Sequence, residues 1–222
     1  MNLPRLCGDS THFVAILLLI WKICRNKSCG GISGRTQILY FIVFCTRYLD
    51  IFTHFVSYYN TFMKTFFIIS TLCTILLIYV KFKETVEKND NFRIQLLLLL
   101  LSGGIYLVLL TLIPAFIINH EFTALEVLWT FSIYLEALAI IPQLTLVIKN
   151  GEVDPTVFYY ICALFSYRAF YIINWIWRYD TENFYDVIAF SAGCIQISLY
   201  MPFFYLYNRK VIQKEELLIL PD

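Results

Sequence analysis

QILYFIVFCTRYLDIFTHFVSY, residues 37–58, is apolar over most of its length and long enough to cross a ~30 Å hydrocarbon core as a helix. Yet it carries Arg47 and Asp50 near its middle. A charge in that position costs about 2.5–3.5 kcal/mol on insertion scales, so such residues face a water-filled cavity, pair with one another or hold a ligand. The same pattern recurs on both sides. Further apolar runs occupy 10–24, 62–80, 94–118, 124–148, 156–177 and 184–207, and three of them enclose an ionisable group: His12, Glu136 and Arg168. The expected fold is all-α, a seven-transmembrane-helix bundle around a polar pocket. It forms a single integral membrane domain over residues 1–222 that includes a short cytosolic tail at 208–222.

Composition supports this class, with 59% hydrophobic residues, 15% charged residues and a mean hydropathy of +0.69, values foreign to a soluble domain. The connecting segments are short enough for the positive-inside rule. One side receives twelve basic residues, in the groups Lys22 to Arg35, Lys81 to Arg93, Lys149, and Arg209 to Lys214. The other side receives only Arg5, Lys64 and Arg178. The C-terminus is therefore expected in the cytosol and the N-terminus in the lumen or outside. That asymmetry accounts for the basic residues, and a net charge of +1 gives no reason to expect nucleic acid as a partner; membrane lipid is the expected surrounding. Residues 10–24 lack a following small-residue cleavage site, so they read as a retained helix rather than a signal peptide. The seven cysteines have neither CxxC spacing nor paired histidines nearby, which argues against a metal site or a disulfide framework. Packing is the simple role for them, with palmitoylation the alternative for Cys24 and Cys29 at the cytosolic edge.

Spans two and six echo one another. Each opens on a threonine, Thr36 or Thr156, and each reaches an arginine, Arg47 or Arg168. Two three-helix repeats joined by a linking fourth helix would explain the match. Helical geometry then tests convergence. Arg5 and His12, seven apart, fall within ~20° of one face, and Arg47 and Asp50, three apart, can pair. Glu126, Trp129, Ile133 and Glu136 follow one 3-7-10 spacing, and Arg168, Tyr171, Trp175 and Arg178 repeat it. Simple structural roles remain open for all of these. Arg47 with Asp50 would be an ion pair that fixes packing, His12 a hydrogen-bonded packing residue, and Glu136 an acceptor for Tyr167. Trp129 and Trp175 would be interfacial anchors, while His54 and His120 would be exposed bystanders. Pro142-Gln143 would mark a kink whose freed backbone groups need partners.

The sequence resembles the KDEL receptors, or ER lumen protein-retaining receptors. The resemblance rests on Met1-Asn2-Leu3 with Arg5, Gly8-Asp9 and His12; on Gly31-Ile32-Ser33-Gly34; on Arg47-Tyr48-Leu49-Asp50; on LEVLWTFSIYLE at 125–136; on Pro142-Gln143; and on NWIWRY at 174–179. It implies a receptor, not an enzyme, that works without cofactor or metal. Such a receptor captures escaped soluble ER residents in the Golgi by a C-terminal Lys/His-Asp-Glu-Leu signal and returns them to the ER. By the family pattern, Arg47 with Tyr48 would hold the terminal carboxylate, Arg5 and Arg168 the two acidic side chains, and Asp50, Glu126 and Trp129 the first position. Tyr171, Asn174 and Trp175 would complete the ligand-binding set, with His12, Glu136 and Tyr167 sensing pH. The chemistry agrees, because a signal with three carboxylates calls for arginines, which bind carboxylates bidentately and stay charged.

The family's two-bundle plan is similar to that of the sugar-transporting SWEET and PQ-loop proteins, which makes a transporter of a small acidic solute the alternative. An intramembrane hydrolase would need a nucleophile with a base, and no convincing pair is seen. Three departures from the family pattern stand out. The tail keeps only Lys214 before Glu215-Glu216 where a coatomer-engaging lysine cluster is usual. Met201-Pro202 replaces an aspartate tied to retrograde transport. The fourth span, with Leu96 to Leu101 ahead of Ser102-Gly103-Gly104, is several residues longer than the family's.

Overall fold

The computed structural model describes residues 2–53, 55–86, 104–151 and 153–219, with side chains for all of these except 104–105 and 210–219. Short polar residues start most helices by accepting a backbone N–H that has no partner within the helix. Asn2 caps α1 (Leu3–Asn26) by accepting from Arg5 N, and Ser33 caps α2 (Gly34–Arg47) through Thr36 N. Ser57 caps α3 (Tyr58–Leu76), which continues through a π turn at Leu77–Lys81. After α4 (Gly104–Ile117), Thr123 caps α5 (Ala124–Leu138). The chain then breaks at Ala139 and Ile140 before α6 (Ile141–Asn150). Asp154 caps α7 (Pro155–Glu182), and α8 (Val187–Ile219) runs on through Pro202. No strand occurs among the described residues.

Five helical segments are long and apolar enough to cross a membrane: Leu3–Asn26, Tyr58–Lys81, Ala124–Asn150, Pro155–Glu182 and Val187–Arg209. The expected second span is corrected. Its helix begins at Gly34 and ends at Arg47, the chain continues as a 3-10 turn over Leu49–Phe52, and His54 lies outside the described residues. Fourteen residues rise only about 21 Å. The expected Arg47–Asp50 pair is therefore not formed, because Asp50 sits in the 3-10 turn beyond the helix rather than one helical turn along its face. The added length of the fourth span, at Leu96 to Leu101, also lies outside the described residues.

Packing places the helices around a common centre. The α1 helix lies along α7, and α2 lies along α5 as well as α3; α8 contacts both α5 and α7, and α4 packs on α5. Leu19, Ile23, Leu39, Phe44, Ile161, Leu164 and Phe203 fill the interior. The end of the bundle nearest residues 29–36 is closed by polar contacts. Gln143, fully buried, donates its backbone N–H to Thr36 Oγ1 at 3.0 Å, accepts from Ser33 N at 2.8 Å and donates Nε2 to Gly31 O at 2.8 Å. The first of these bonds occupies the Gln143 backbone N–H, which the helix start at Ile141 leaves without an intrahelical partner. Lys22 Nζ donates to Gly30 O at 2.8 Å, and Cys29 N to Thr85 Oγ1 at 3.0 Å. Cys29 is 1% exposed and burial pushes its thiol pKa up, whereas Cys24 is exposed.

Candidate functional site

At the opposite end a cavity of about 1050 Å³ opens among α1, the α2–α3 connection, α5, α7 and the start of α8. Its lining includes every residue expected to bind ligand: Arg5, Arg47, Tyr48, Asp50, Glu126, Trp129, Arg168, Tyr171, Asn174 and Trp175, together with His12, Glu136 and Tyr167.

The base of the cavity is organised by one carboxylate. Glu136, 2% exposed, accepts from Arg47 Nη1 at 2.5 Å and from Arg168 Nη2 at 2.6 Å on Oε2, while Tyr167 Oη donates to Oε1 at 2.7 Å. Arg47 Nε also donates to Ser132 Oγ at 3.0 Å. The simple role for Glu136, accepting from Tyr167, is thus realised, but within a larger ion cluster. Two guanidinium groups share a single negative charge, and Arg47 Nη2 and Arg168 Nε are buried donors with no protein partner. A buried donor left unmade costs roughly 1–3 kcal/mol, more when charged. The base is therefore cationic, with donors to spare for carboxylates.

His12 is 6% exposed and lies between the rings of Tyr167 at 4.3 Å and Phe67 at 4.6 Å, with Phe44 at 5.6 Å. Between His12 and Arg5 stands Asp9, which accepts from Tyr59 Oη at 2.9 Å and from Tyr171 Oη. Close approach of α1 and α7 makes that last bond possible, since a Cβ on Gly8 would come within 2.9 Å of the Tyr171 ring. Gly8→Ala is therefore expected to cost about 1–3 kcal/mol of stability by overpacking and to displace Tyr171 from Asp9. A thermal melt of the purified variant checks this.

Acidic residues gather toward the mouth. Asp50 accepts from Lys64 Nζ at 2.5 Å, and Lys64 also lies over the Tyr48 ring at 5.8 Å. Asp186 caps Ala189 N at 2.9 Å and lies 3.4 Å from His120 Nε2, so His120 is a rim residue. Glu126 is the fourth residue of a Thr123-x-x-Glu126 helix start, the spacing of a capping box, and lines the pocket from there. Arg178 is held by Glu182 at 2.7 Å and covers Phe184. Trp129 and Trp175 pack against Ile133 and Ala189, and Asn174 is 4% exposed with a buried Oδ1 that has no protein partner.

Sequence reasoning missed four contributors: Tyr59, Lys64, Ser132 and Gln196, the last donating Nε2 to Tyr167 Oη at 3.1 Å. It also gave Asp9 no role, although Asp9 stands four residues after Arg5 and three before His12, on their face. Gln196 carried a signal too, as a lone amide within an apolar run. Lys64 enters the sequence reading only through the charge count of the connecting segments.

Multiple membrane-length helices around a charged cavity define a multi-pass membrane protein, and among the described residues no His/Cys/Asp/Glu cluster could hold a metal. The profile of the family "ER lumen protein retaining receptor" matches residues 28–178. The chain is 48% identical to ER lumen protein-retaining receptor 2 of Gallus gallus and of Bos taurus, and 50% identical to the ER lumen protein-retaining receptor of Drosophila melanogaster. Each match runs over 218 residues and covers 98% of both chains. The chain belongs to the ER lumen protein-retaining receptor family.

Proposed function

We propose that the chain binds the C-terminal Lys/His-Asp-Glu-Leu-type signal of soluble ER-resident proteins in the Golgi and returns them to the ER, in a pH-dependent cycle and without catalysis. The observation that carries this reading is the pair of arginines, Arg168 buried and Arg47 half-buried, sharing Glu136 with buried donors left over. A peptide end rich in carboxylates supplies the missing partners. Arg47 with Tyr48 takes the terminal carboxylate, and Arg5 and Arg168 take the acidic side chains. The acidic groups toward the mouth, Asp50 and Glu126, suit the basic first position beside Trp129, with Tyr171, Asn174 and Trp175 around the peptide. The pocket faces the lumen and the C-terminus the cytosol. Two three-helix repeats joined by a linking helix, as in SWEET and PQ-loop proteins, are supported by the packing. Exchanging the first three spans for the last three maps the α1–α7 contact onto α5–α2 and the α2–α3 contact onto α7–α8.

His12 gives the pH dependence. An unperturbed histidine titrates near ~6.5, between a mildly acidic Golgi and a near-neutral ER. The charged and titratable groups around His12 are Tyr167, Glu136, Arg168 and Arg47, with Asp9 one turn away on α1. An imidazolium added to two guanidinium groups around one carboxylate leaves excess positive charge, which the peptide's carboxylates offset. Protonation and peptide binding then favour each other, so affinity rises as pH falls and binding takes up protons. Titration of the purified protein with a Lys-Asp-Glu-Leu peptide at pH 5.5 and 7.5 tests this. His12→Ala is expected to weaken binding at pH 5.5 and flatten the profile. A full wild-type slope in the variant would move the sensor to Glu136, and then to His54 or His120. Accumulation of a small acidic solute in sealed vesicles would favour the transporter instead.

Coatomer engagement is the weakest part of the cycle in this chain, given its lysine-poor tail and Pro202. Replacing Pro202 by aspartate and adding a lysine-rich tail is expected to strengthen Golgi-to-ER redistribution when cargo is expressed. Equal redistribution of the native chain would assign coat engagement to Lys81, Lys83 or Lys149.

A further inference from the structure

Lys64 lines the cavity but takes no part in the peptide contacts assigned above. It stands in the second turn of α3, and the 3-10 turn that follows α2 brings Asp50 to it, so that Lys64 Nζ donates to Asp50 Oδ2 at 2.5 Å. The lysine side chain is 13% exposed and the aspartate side chain 43% exposed, so the cation is the more deeply set of the two. Its ammonium also lies 5.8 Å from the centre of the Tyr48 ring, within the range of a cation–π contact that helps to hold it there. Asp50 Oδ1 is buried and has no hydrogen-bond partner in the protein. Among the described residues, then, the charge of Asp50 is met by Lys64 and by no other cation.

We propose, on the reading that seats the basic first residue of the peptide at Asp50, that Lys64 is a specificity-determining residue: it competes with that residue for the Asp50 carboxylate and so limits the preference of the pocket for a basic over a neutral first position. A basic side chain arriving at Asp50 meets an acid that is already paired. Sharing the carboxylate with Lys64 puts two like charges side by side, and their Coulomb repulsion offsets part of the attraction. Displacing Lys64 exchanges one ammonium contact for another. On either course the ligand gains less than an unpaired carboxylate would give it. A neutral first residue leaves the Lys64–Asp50 pair intact and loses nothing. Specificity is a difference between two affinities, and a competing charge acts on only one of them.

Calorimetric titration of the full chain at one pH with two N-acetylated peptides tests this: Lys-Asp-Glu-Leu, and the same peptide with the uncharged norleucine in place of its lysine. The two differ only in the charged end of the first side chain, so the ratio of their affinities reads the preference for a basic residue. In Lys64→Gln that ratio is expected to rise several-fold over the wild type, whereas Lys64→Arg, which keeps the cation, should retain the wild-type ratio. Lys64→Met is a second variant of similar length with the same expected rise, should the glutamine disturb the fold. In an Asp50→Asn background, where no carboxylate is left to compete for, Lys64→Gln should leave the ratio as it is. An unchanged ratio in Lys64→Gln would overturn the competition. A lower one would overturn it too, by showing that Lys64 instead holds Asp50 in place for the ligand. A rise that persists in Asp50→Asn would also overturn it, since Lys64 would then act by repulsion at a distance and not through Asp50. Binding of neither peptide to the wild type would overturn the ligand reading and the competition together, a result distinct from measurable binding with an unchanged ratio.

Discussion

Glu136→Gln is expected to destabilise the empty protein by about 3–5 kcal/mol, the usual cost of removing one partner from a buried ion pair. Here the cost falls on two partners, because Arg47 and Arg168 both lose their only shared counter-charge, and the protein groups still bonding them are the neutral Ser132 and Tyr167. An acidic peptide should recover part of that loss, since its carboxylates can take the place of the missing one. Scanning fluorimetry checks both parts: the variant melts well below the wild type, and the free-acid peptide raises its melting temperature by more than it raises the wild type's. An unchanged melting temperature would mean that the two guanidinium groups find other partners and that Glu136 does not organise the base of the pocket.

The second large effect is at Arg47. Arg47→Gln is expected to weaken binding of a peptide with a free terminal carboxylate by about 2–5 kcal/mol, the range for truncating one member of a desolvated, hydrogen-bonded charge pair. Much of this loss is the penalty for leaving the peptide carboxylate without its partner in a buried site. Calorimetric titration of the two proteins against the same peptide measures it. A loss of only a few tenths of a kcal/mol would place the terminal carboxylate elsewhere, with Lys64, which holds Asp50 at 2.5 Å and lines the same cavity, an alternative cation.

The helical class and the pocket were legible in the sequence because intramembrane charge is costly. Arg47, Glu136 and Arg168 had to face one another or a ligand, and they do. The partner choice was less legible. Spacing along a single helix suggested Arg47 with Asp50, whereas α2 stops at Arg47 and the side chain reaches Glu136 across the interface with α5. Periodicity continues through such a stop without registering it, because Leu49, Ile51 and Phe52 keep the run apolar. The pairing of Asp50 with Lys64 is a contact between a turn and the next helix, and no repeat in the sequence marks it. Thr36 and Gln143 lie 107 positions apart and meet only in the folded chain. The break in span five was visible in Pro142, because proline cannot donate within a helix. The partners that satisfy the break were not visible.

Recognition of the free C-terminus of an acidic peptide by the cationic base of the cavity is what the proposed function requires. Its most direct test is calorimetric titration of the purified wild-type protein with two forms of one Lys-Asp-Glu-Leu peptide, the free acid and the C-terminal amide, across pH 5 to 7.5. The acid is expected to bind, more tightly toward pH 5 and with proton uptake, and amidation to nearly abolish binding throughout. Equal affinity for the acid and the amide would contradict it.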